Sequence, residues 1–450
     1  MSTPELTTLY TEHLDALTAR YTPLWSKHEI DALIIHSGAP KMRTRYDDQY
    51  FPHRVVPAFA HWAPVSAPHW AVVLRSDGNR TLHAFRDANF WERPAPIEWP
   101  EFADAWNRAE HSSDEVLAKS LSGSARAVVL GEDIAFAAMC GLPSASEALL
   151  RDLDATRVHK TAYEQHCLRV ANERAASGHT ELARLFDTMS QTEFDLHLAY
   201  LRHTRQDDQD TPYKNIIAFG PNAAILHHVS YARSAGDSAT SMLVDAGATC
   251  LGYSSDISRT WTRGLGARID AFAALHASME ALQLGLVADA KTGMLYQALH
   301  DQCHTQMAEL LVRHELVTCG ADEAHAAGIT RTFMPHGLGH SLGLQTHDVG
   351  CALIKPKVEN PYLRNTAPIE AGQCFTIEPG LYFIEPLLGE LRATPSGALV
   401  RWDTVSTLAC MGGIRIEDDL LVRESGPLDN LTRAAFAAPT IRTHFAHELR

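Results

Sequence analysis

Little in this chain marks export or membrane insertion. No basic stretch followed by an apolar segment opens the sequence, so a secretory signal is not expected. No uninterrupted apolar run approaches the roughly 20 residues that cross a bilayer. No Cys-x-x-Cys pair occurs among Cys140, Cys167, Cys250, Cys303, Cys319, Cys351, Cys374 and Cys410, which leaves a thiolate metal site or a disulfide framework without support. A reduced, cytoplasmic protein is the expectation. No repeat of fixed period and no low-complexity tract appears. Positive charge is also short. Lys and Arg number 39 against 54 Asp and Glu, a net charge of −15, so nucleic acid and anionic membranes are poor partners. Most of the acidic excess is read as solvated surface.

What is present is ordinary for a globular chain: 450 residues, 45% hydrophobic and 21% charged. That length suggests two or three domains. A helical stretch runs from about Glu5 to Lys27. Strand candidates follow at Ala32–Ile35, Trp70–Leu74, Arg80–Phe85 and Ala127–Leu130. Asp77-Gly78 predicts a tight hairpin between the second and third. From about Lys160 to Gln206 the apolar spacing becomes helical, through Leu168, Ala171, Ala175, Leu182 and Leu185. Ser190-Gln-Thr-Glu193 reads as a capping box opening a helix from Glu193 to about His203. After residue 210 the chain is strand-rich, with a helical block from about Ile269 to His314. The fold class expected is α+β: a small α/β domain over 1–156, then a second domain over 157–450.

Four segments of the second domain carry chemistry. Leu243–Thr260 reads as strand, turn, strand. It holds Asp245 at the end of an apolar run and Asp256 eleven residues on. Two close, unneutralised aspartates repel, and a divalent cation removes that conflict. Phe333–Gly350 holds His336, His340 and His347 among glycines 337, 339 and 343. The glycines argue against a helix and let backbone pack tightly around a site. The H-E-x-x-H zinc pattern is absent. Cys374–Tyr382 places Glu378 at a strand end before Pro379-Gly380. Gly412–Asp419 places Arg415 and Glu417 two apart, hence on one face of a strand. Each segment alone also admits a structural reading: turn aspartates, a glutamate before a turn, a surface ion pair. Together they supply two Asp, one His and two Glu, a set suited to a carboxylate-bridged metal pair. Oxygen-rich ligands favour manganese, with cobalt or zinc as alternatives.

In this order the segments resemble the metallopeptidases of pita-bread fold, which include methionine aminopeptidase, aminopeptidase P and prolidase. The resemblance implies a pita-bread catalytic domain and two divalent ions per subunit, most readily Mn²⁺, held by Asp245, Asp256, His340, Glu378 and Glu417. Within that family the chain looks most like the bacterial prolidases. Asp47-Asp48 through Trp62 resembles part of their N-terminal domain, where the acidic pair, Asp48 included, approaches the partner subunit's site. The Glu378–Glu417 interval is long, as in prolidases. Arg364 matches the arginine that holds a dipeptide's carboxylate, although a surface arginine is the plain alternative.

The resemblance thus implies hydrolysis of Xaa-Pro dipeptides by a hydroxide bridging two metals, in a homodimer. Glu378 would move the proton. His347 and His227 would steady the substrate or the tetrahedral oxygen, and Arg415 would orient the bridging glutamate. His336 and Arg364 would receive the C-terminal carboxylate, and Tyr213 and Tyr382 would complete the wall. Three positions depart from the family pattern: Val56, Thr346 and His228, which stand where asparagine, valine and tyrosine are usual. Two other readings belong beside this one: an aminopeptidase P acting on longer peptides, and a binding protein that keeps the fold. Hydrolysis of organophosphorus triesters is implied as a side activity.

Overall fold

The computed structural model describes residues 3–46, 48–86, 99, 101–131, 134–188, 190–234 and 239–438. These divide into two compact units. One runs to Cys167 and includes Leu251–Tyr253; the other comprises Leu168–Cys250 and the chain from Ser254 onward.

The first unit is built on a five-stranded mixed sheet. Its order is Asn107–His111, Arg80–Phe85, Ala71–Arg75, Ala32–His36, Ala127–Leu130. The predicted hairpin forms, with Gly78 at φ +85° in its turn. Every residue of Ala32–His36 is buried. Ala32 and Ile34 pack with Leu117, Leu121, Phe136 and Cys140 from the helices Asp114–Leu121 and Ile134–Cys140. Leu33 and Ile35 point to the opposite face and are buried as well. Coverage of both faces explains an apolar run where a half-exposed strand would alternate.

The second unit carries two three-stranded antiparallel sheets and a two-stranded one. Ile216–Phe219, Ser241–Asp245 and Ser258–Thr262 form the first, with Ser241–Asp245 in the middle. Cys374–Ile377, Asp418–Leu421 and Asp429–Asn430 form the second, and Gly380–Tyr382 pairs with Gly413–Arg415. The expected helical block resolves into Ala267–Asp289 and Tyr296–Arg313. Ala267–Asp289 is long and apolar enough to cross a membrane by length and composition, although charged residues interrupt it. Its Phe272, Leu275, Met279 and Leu286 share one core with Phe375, Ile377 and Leu420.

One local expectation is corrected. The helix Glu193–Thr204 is capped by Thr192, not Ser190. Thr192 Oγ1 accepts from Asp195 N at 3.0 Å, and Asp195 Oδ2 accepts from Thr192 N at 3.0 Å, which completes a box two residues beyond the predicted one. Ser190 stands at φ +71° outside the helix. Aspartate serves the third helical position as well as glutamate does, and this leaves Glu193 free for another task.

Candidate metal centre and active-site cavity

Backbone pairing assembles the site from four distant segments. Asp245 ends its strand directly opposite Ser258, so the hairpin returns Asp256 to the same end of the sheet. Ser258 also bridges to Glu417, which brings the 413–421 strands alongside. The histidine segment docks along Cys374–Ile377: Thr376 N donates to His340 O at 2.9 Å and Glu378 N to Leu338 O at 2.8 Å. This contact requires Gly339. A Cβ there would lie 2.3 Å from Thr376 O and 2.4 Å from the Tyr296 hydroxyl. The glycine pattern therefore has the close-packing role read from sequence.

The side chains converge in a cavity of about 1020 Å³ lined by Asp245, Asp256, His340, Glu378, Glu417 and Arg415, among others. His340 Nε2 lies 3.3 Å from Asp256 Oδ2, 3.5 Å from Glu378 Oε1 and 3.9 Å from Glu417 Oε1. Its Nδ1 is 3.1 Å from Ser341 O, which can only accept, so Nδ1 carries a proton. Nε2 therefore faces the carboxylates either protonated or with its lone pair turned toward a shared cation. Asp245 is paired with Arg415 Nη2. Tyr213 Oη bridges Asp245 Oδ1 at 2.7 Å and Asp256 Oδ1 at 2.5 Å.

Electrostatics point the same way. Burial, then the Asp245 charge, pushes Asp256 well above the ordinary carboxylate range. Burial, then Asp256 and Glu378, does the same to Glu417. Glu378 is raised to about 7, chiefly by burial, with His340 and Arg415 opposing. Four carboxylates with one permanent cation, Arg415, form an uncompensated negative site. These residues fit a pair of divalent ions: the donors are hard oxygens plus one imidazole whose second nitrogen is already fixed.

Support behind the ligands is dense. Ser258 Oγ donates to Glu417 Oε2 at 2.7 Å and accepts from Arg415 Nε at 3.0 Å. Asp419 Oδ2 accepts from Asp256 N at 3.0 Å and from Asn172 Nδ2 at 2.8 Å. Arg415 Nη1 donates to Tyr382 Oη at 3.1 Å, and that hydroxyl donates to His336 Nε2 at 2.9 Å. His336 Nδ1–H is held by Gly337 O at 2.7 Å, so neither ring nitrogen offers a proton to a substrate carboxylate in this arrangement. Burial and the Arg415 charge hold its pKa down to about 3. His227, His347 and Arg364 line the cavity. Partial burial, then His340, Arg364 and His227, depresses His347. Of the expected site residues, Asp48 belongs to the first unit, exposed, with Oδ1 accepting from Gln49 Nε2. Asp47 lies outside the described residues. Ser258, Asn172 and Asp419 were not singled out by the sequence. Asp419 sits in a quoted segment, but hydroxyl and amide partners carry no motif.

A second His and carboxylate cluster lies in the first unit. His36 Nε2 and His69 Nδ1 approach the two oxygens of Asp114 at 3.2 and 2.8 Å. Here His36 Nδ1 accepts from Gly38 N, which fixes Nε2–H as the donor. Burial raises the Asp114 pKa, but the two histidine hydrogen bonds prevail and hold it far below the usual range. This cluster is internally satisfied, unlike the one around His340.

The α/β unit, followed by a sheet-built unit with carboxylates gathered on one imidazole, defines a metallohydrolase. The chain belongs to metallopeptidase family M24, whose family model matches residues 166–424. The model described as "Xaa-Pro dipeptidase, N-terminal domain" matches residues 8–154. The chain is 37% identical over 440 residues to an Xaa-Pro dipeptidase of Pseudoalteromonas atlantica, covering 95% of this chain and 98% of that one. It is 38% identical over 443 residues to an Xaa-Pro dipeptidase of Aeromonas hydrophila, with coverages of 95% and 98%. In fold it is similar to proline aminopeptidase P II from Yersinia pestis, at a TM-score of 0.71 and 23% identity over 98% of each chain. Zn-substituted Escherichia coli aminopeptidase P in complex with product gives 0.71 at 21% identity, covering 97% and 96%.

Proposed function

We propose that this chain hydrolyses Xaa-Pro dipeptides, releasing proline from the C-terminal side. The observation that carries the reading is His340 Nε2 set against three carboxylates inside the large cavity. Asp245, Asp256, His340, Glu378 and Glu417 would hold two divalent ions, which supply a more acidic water and polarise the scissile carbonyl. Glu378 accepts the water proton and passes it to the prolyl nitrogen. Arg415 neutralises Asp245 and, through Ser258, orients Glu417. His227 and His347 steady the substrate and the developing oxyanion. Tyr213 fixes the two aspartates relative to each other. His336 lines the wall with Tyr382 buried behind it, and Arg364 receives the free carboxylate.

Several finer points belong to the same proposal. Manganese suits the oxygen-rich donors, with cobalt and zinc as alternatives. The eight free thiols suit a reducing cytoplasm. A domain division at 156/157 falls in the gap between the two family matches, which end at 154 and begin at 166. Homodimerisation, with Asp48 near the partner's cavity, rests on the family resemblance. The aminopeptidase P reading has the structural neighbours on its side and is separated by substrate length. In manganese buffer, Ala-Pro should be turned over about tenfold or more faster than Ala-Pro-Ala, because Arg364 recognises the proline carboxylate. Equal or faster cleavage of the tripeptide would refute the dipeptide limit.

A further inference from the structure

Glu193 was released from helix capping, and its side chain is fully buried. Its carboxylate is completely used. Oε1 accepts from Phe219 N and Asn222 Nδ2, both at 2.8 Å. Oε2 accepts from His228 Nε2 at 2.8 Å and Ala232 N at 2.7 Å. All four donors lie between residues 219 and 232. The same stretch contributes Pro221, Ala224, Ile225, Leu226 and His227 to the cavity wall. Neighbouring residues divide the labour: His227 is exposed on the cavity, while His228 is buried against Glu193.

From this geometry we infer that Glu193 is a positioning residue: its carboxylate, acting through His228 and three further donors, sets the 219–232 segment and so places His227 in the active-site cavity. The inference rests on the reading of that cavity as the dipeptidase site. The physical case is one of matching. A buried carboxylate is stable only when its lone-pair sites are filled, and here every donor that fills them comes from one catalytic wall. The clamp ties both ends of the segment to a rigid helix, so His227 is held without any direct contact to its ring. Histidine at 228 supplies a donor that reaches the buried oxygen from the residue next to the one being placed.

Glu193→Gln tests this at nearly constant volume, since the amide turns N–H groups toward at least one pair of donors. Its kcat for Ala-Pro should fall about tenfold, with KM changed less than threefold and bound metal equal to wild type. The decisive readout is a double-mutant cycle with His227→Ala. If Glu193 acts through His227, Glu193→Gln should cost less than about twofold in the His227→Ala background. Should Glu193→Gln fail to fold, His228→Gln removes one arm of the clamp. It should give a loss of about threefold that likewise vanishes beside His227→Ala. A loss of equal size in both backgrounds would mean a merely structural role and overturn the inference. So would wild-type kcat in Glu193→Gln while His227→Ala is impaired. Wild-type turnover in His227→Ala itself would overturn the inference together with the cavity reading.

Discussion

Glu378 is the residue at which two demands meet. It is close enough to His340, at 3.5 Å, to share an ion with it, and its pKa is pushed up to about 7. A metal-binding carboxylate needs only charge, but a proton carrier also needs a basic oxygen within reach of the attacking water. Glu378→Gln keeps the volume and removes the basic oxygen. Turnover of Ala-Pro in manganese buffer should fall by about 10³ or more. A rate near wild type would remove Glu378 from proton transfer. Such residues are legible in sequence because each stands where an apolar run stops: Asp245 after Leu243-Val244, Glu378 after Phe375-Thr376-Ile377. Their partners are not legible. Ser258 and Asp419 touch the ligands Glu417 and Asp256 across 159 and 163 residues, Asn172 holds Asp419 from behind, and nothing local distinguishes them from other polar residues. Glu193 was misread outright, because a helix-start pattern with Thr192 and Asp195 two residues further on satisfies the same local rule.

At the scale of elements, the site depends on backbone that only small residues permit. The histidine segment can lie against Cys374–Ile377 because position 339 lacks a side chain. Gly412, at φ +80°, would place a Cβ 1.9 Å from Gly220 O, and it leads into the strand carrying Arg415. Both obstacles are backbone, which cannot swing aside. Gly339→Ala should therefore move His340 away from Glu378, cutting bound metal and lowering kcat/KM by about 10². Metal content after dialysis against a trace of Mn²⁺ checks it; full occupancy would show that the segment tolerates the shift. Strands such as Ala32–His36 and Cys374–Ile377 were readable from their apolar runs, whereas Asn107–His111, with no such run, was not. Their pairing order was not, since Ser258 meets Glu417 across a gap that no hairpin signal spans.

For the whole molecule, buried neutral histidines set the response to acid. His13, His179 and His300 have pKa values lowered to about 4 and His304 to about 3, each chiefly by burial. The sign follows from linkage. In the unfolded chain these groups titrate near 6.5, so below that pH the unfolded state binds more protons than the folded one. Their contribution is intact above about pH 6.5 and is lost as pH falls toward 4, at about 1.4 kcal/mol per group for each pH unit. The thermal midpoint of the metal-loaded protein should be flat from pH 7 to 8 and drop steadily below 6.5. A midpoint unchanged at pH 5 would contradict this. The sequence pattern changes near residue 160 and the compact units part at Cys167 and Leu168, whereas the depth at which each histidine is buried depends on tertiary packing and leaves no trace in composition.

The charge within the cavity has an ordering consequence. Asp245, Asp256, Glu378 and Glu417 against Arg415 leave three net negative charges when the carboxylates are ionised. In that condition the cavity draws cations and repels any peptide that ends in a free carboxylate. Two divalent ions bring four positive charges, and the sign of the cavity reverses to a small positive excess. The same walls then attract the terminus they formerly rejected. With the carboxylates ionised, electrostatics thus favour entry of the ions before the dipeptide, which meets a cavity already equipped to cleave it.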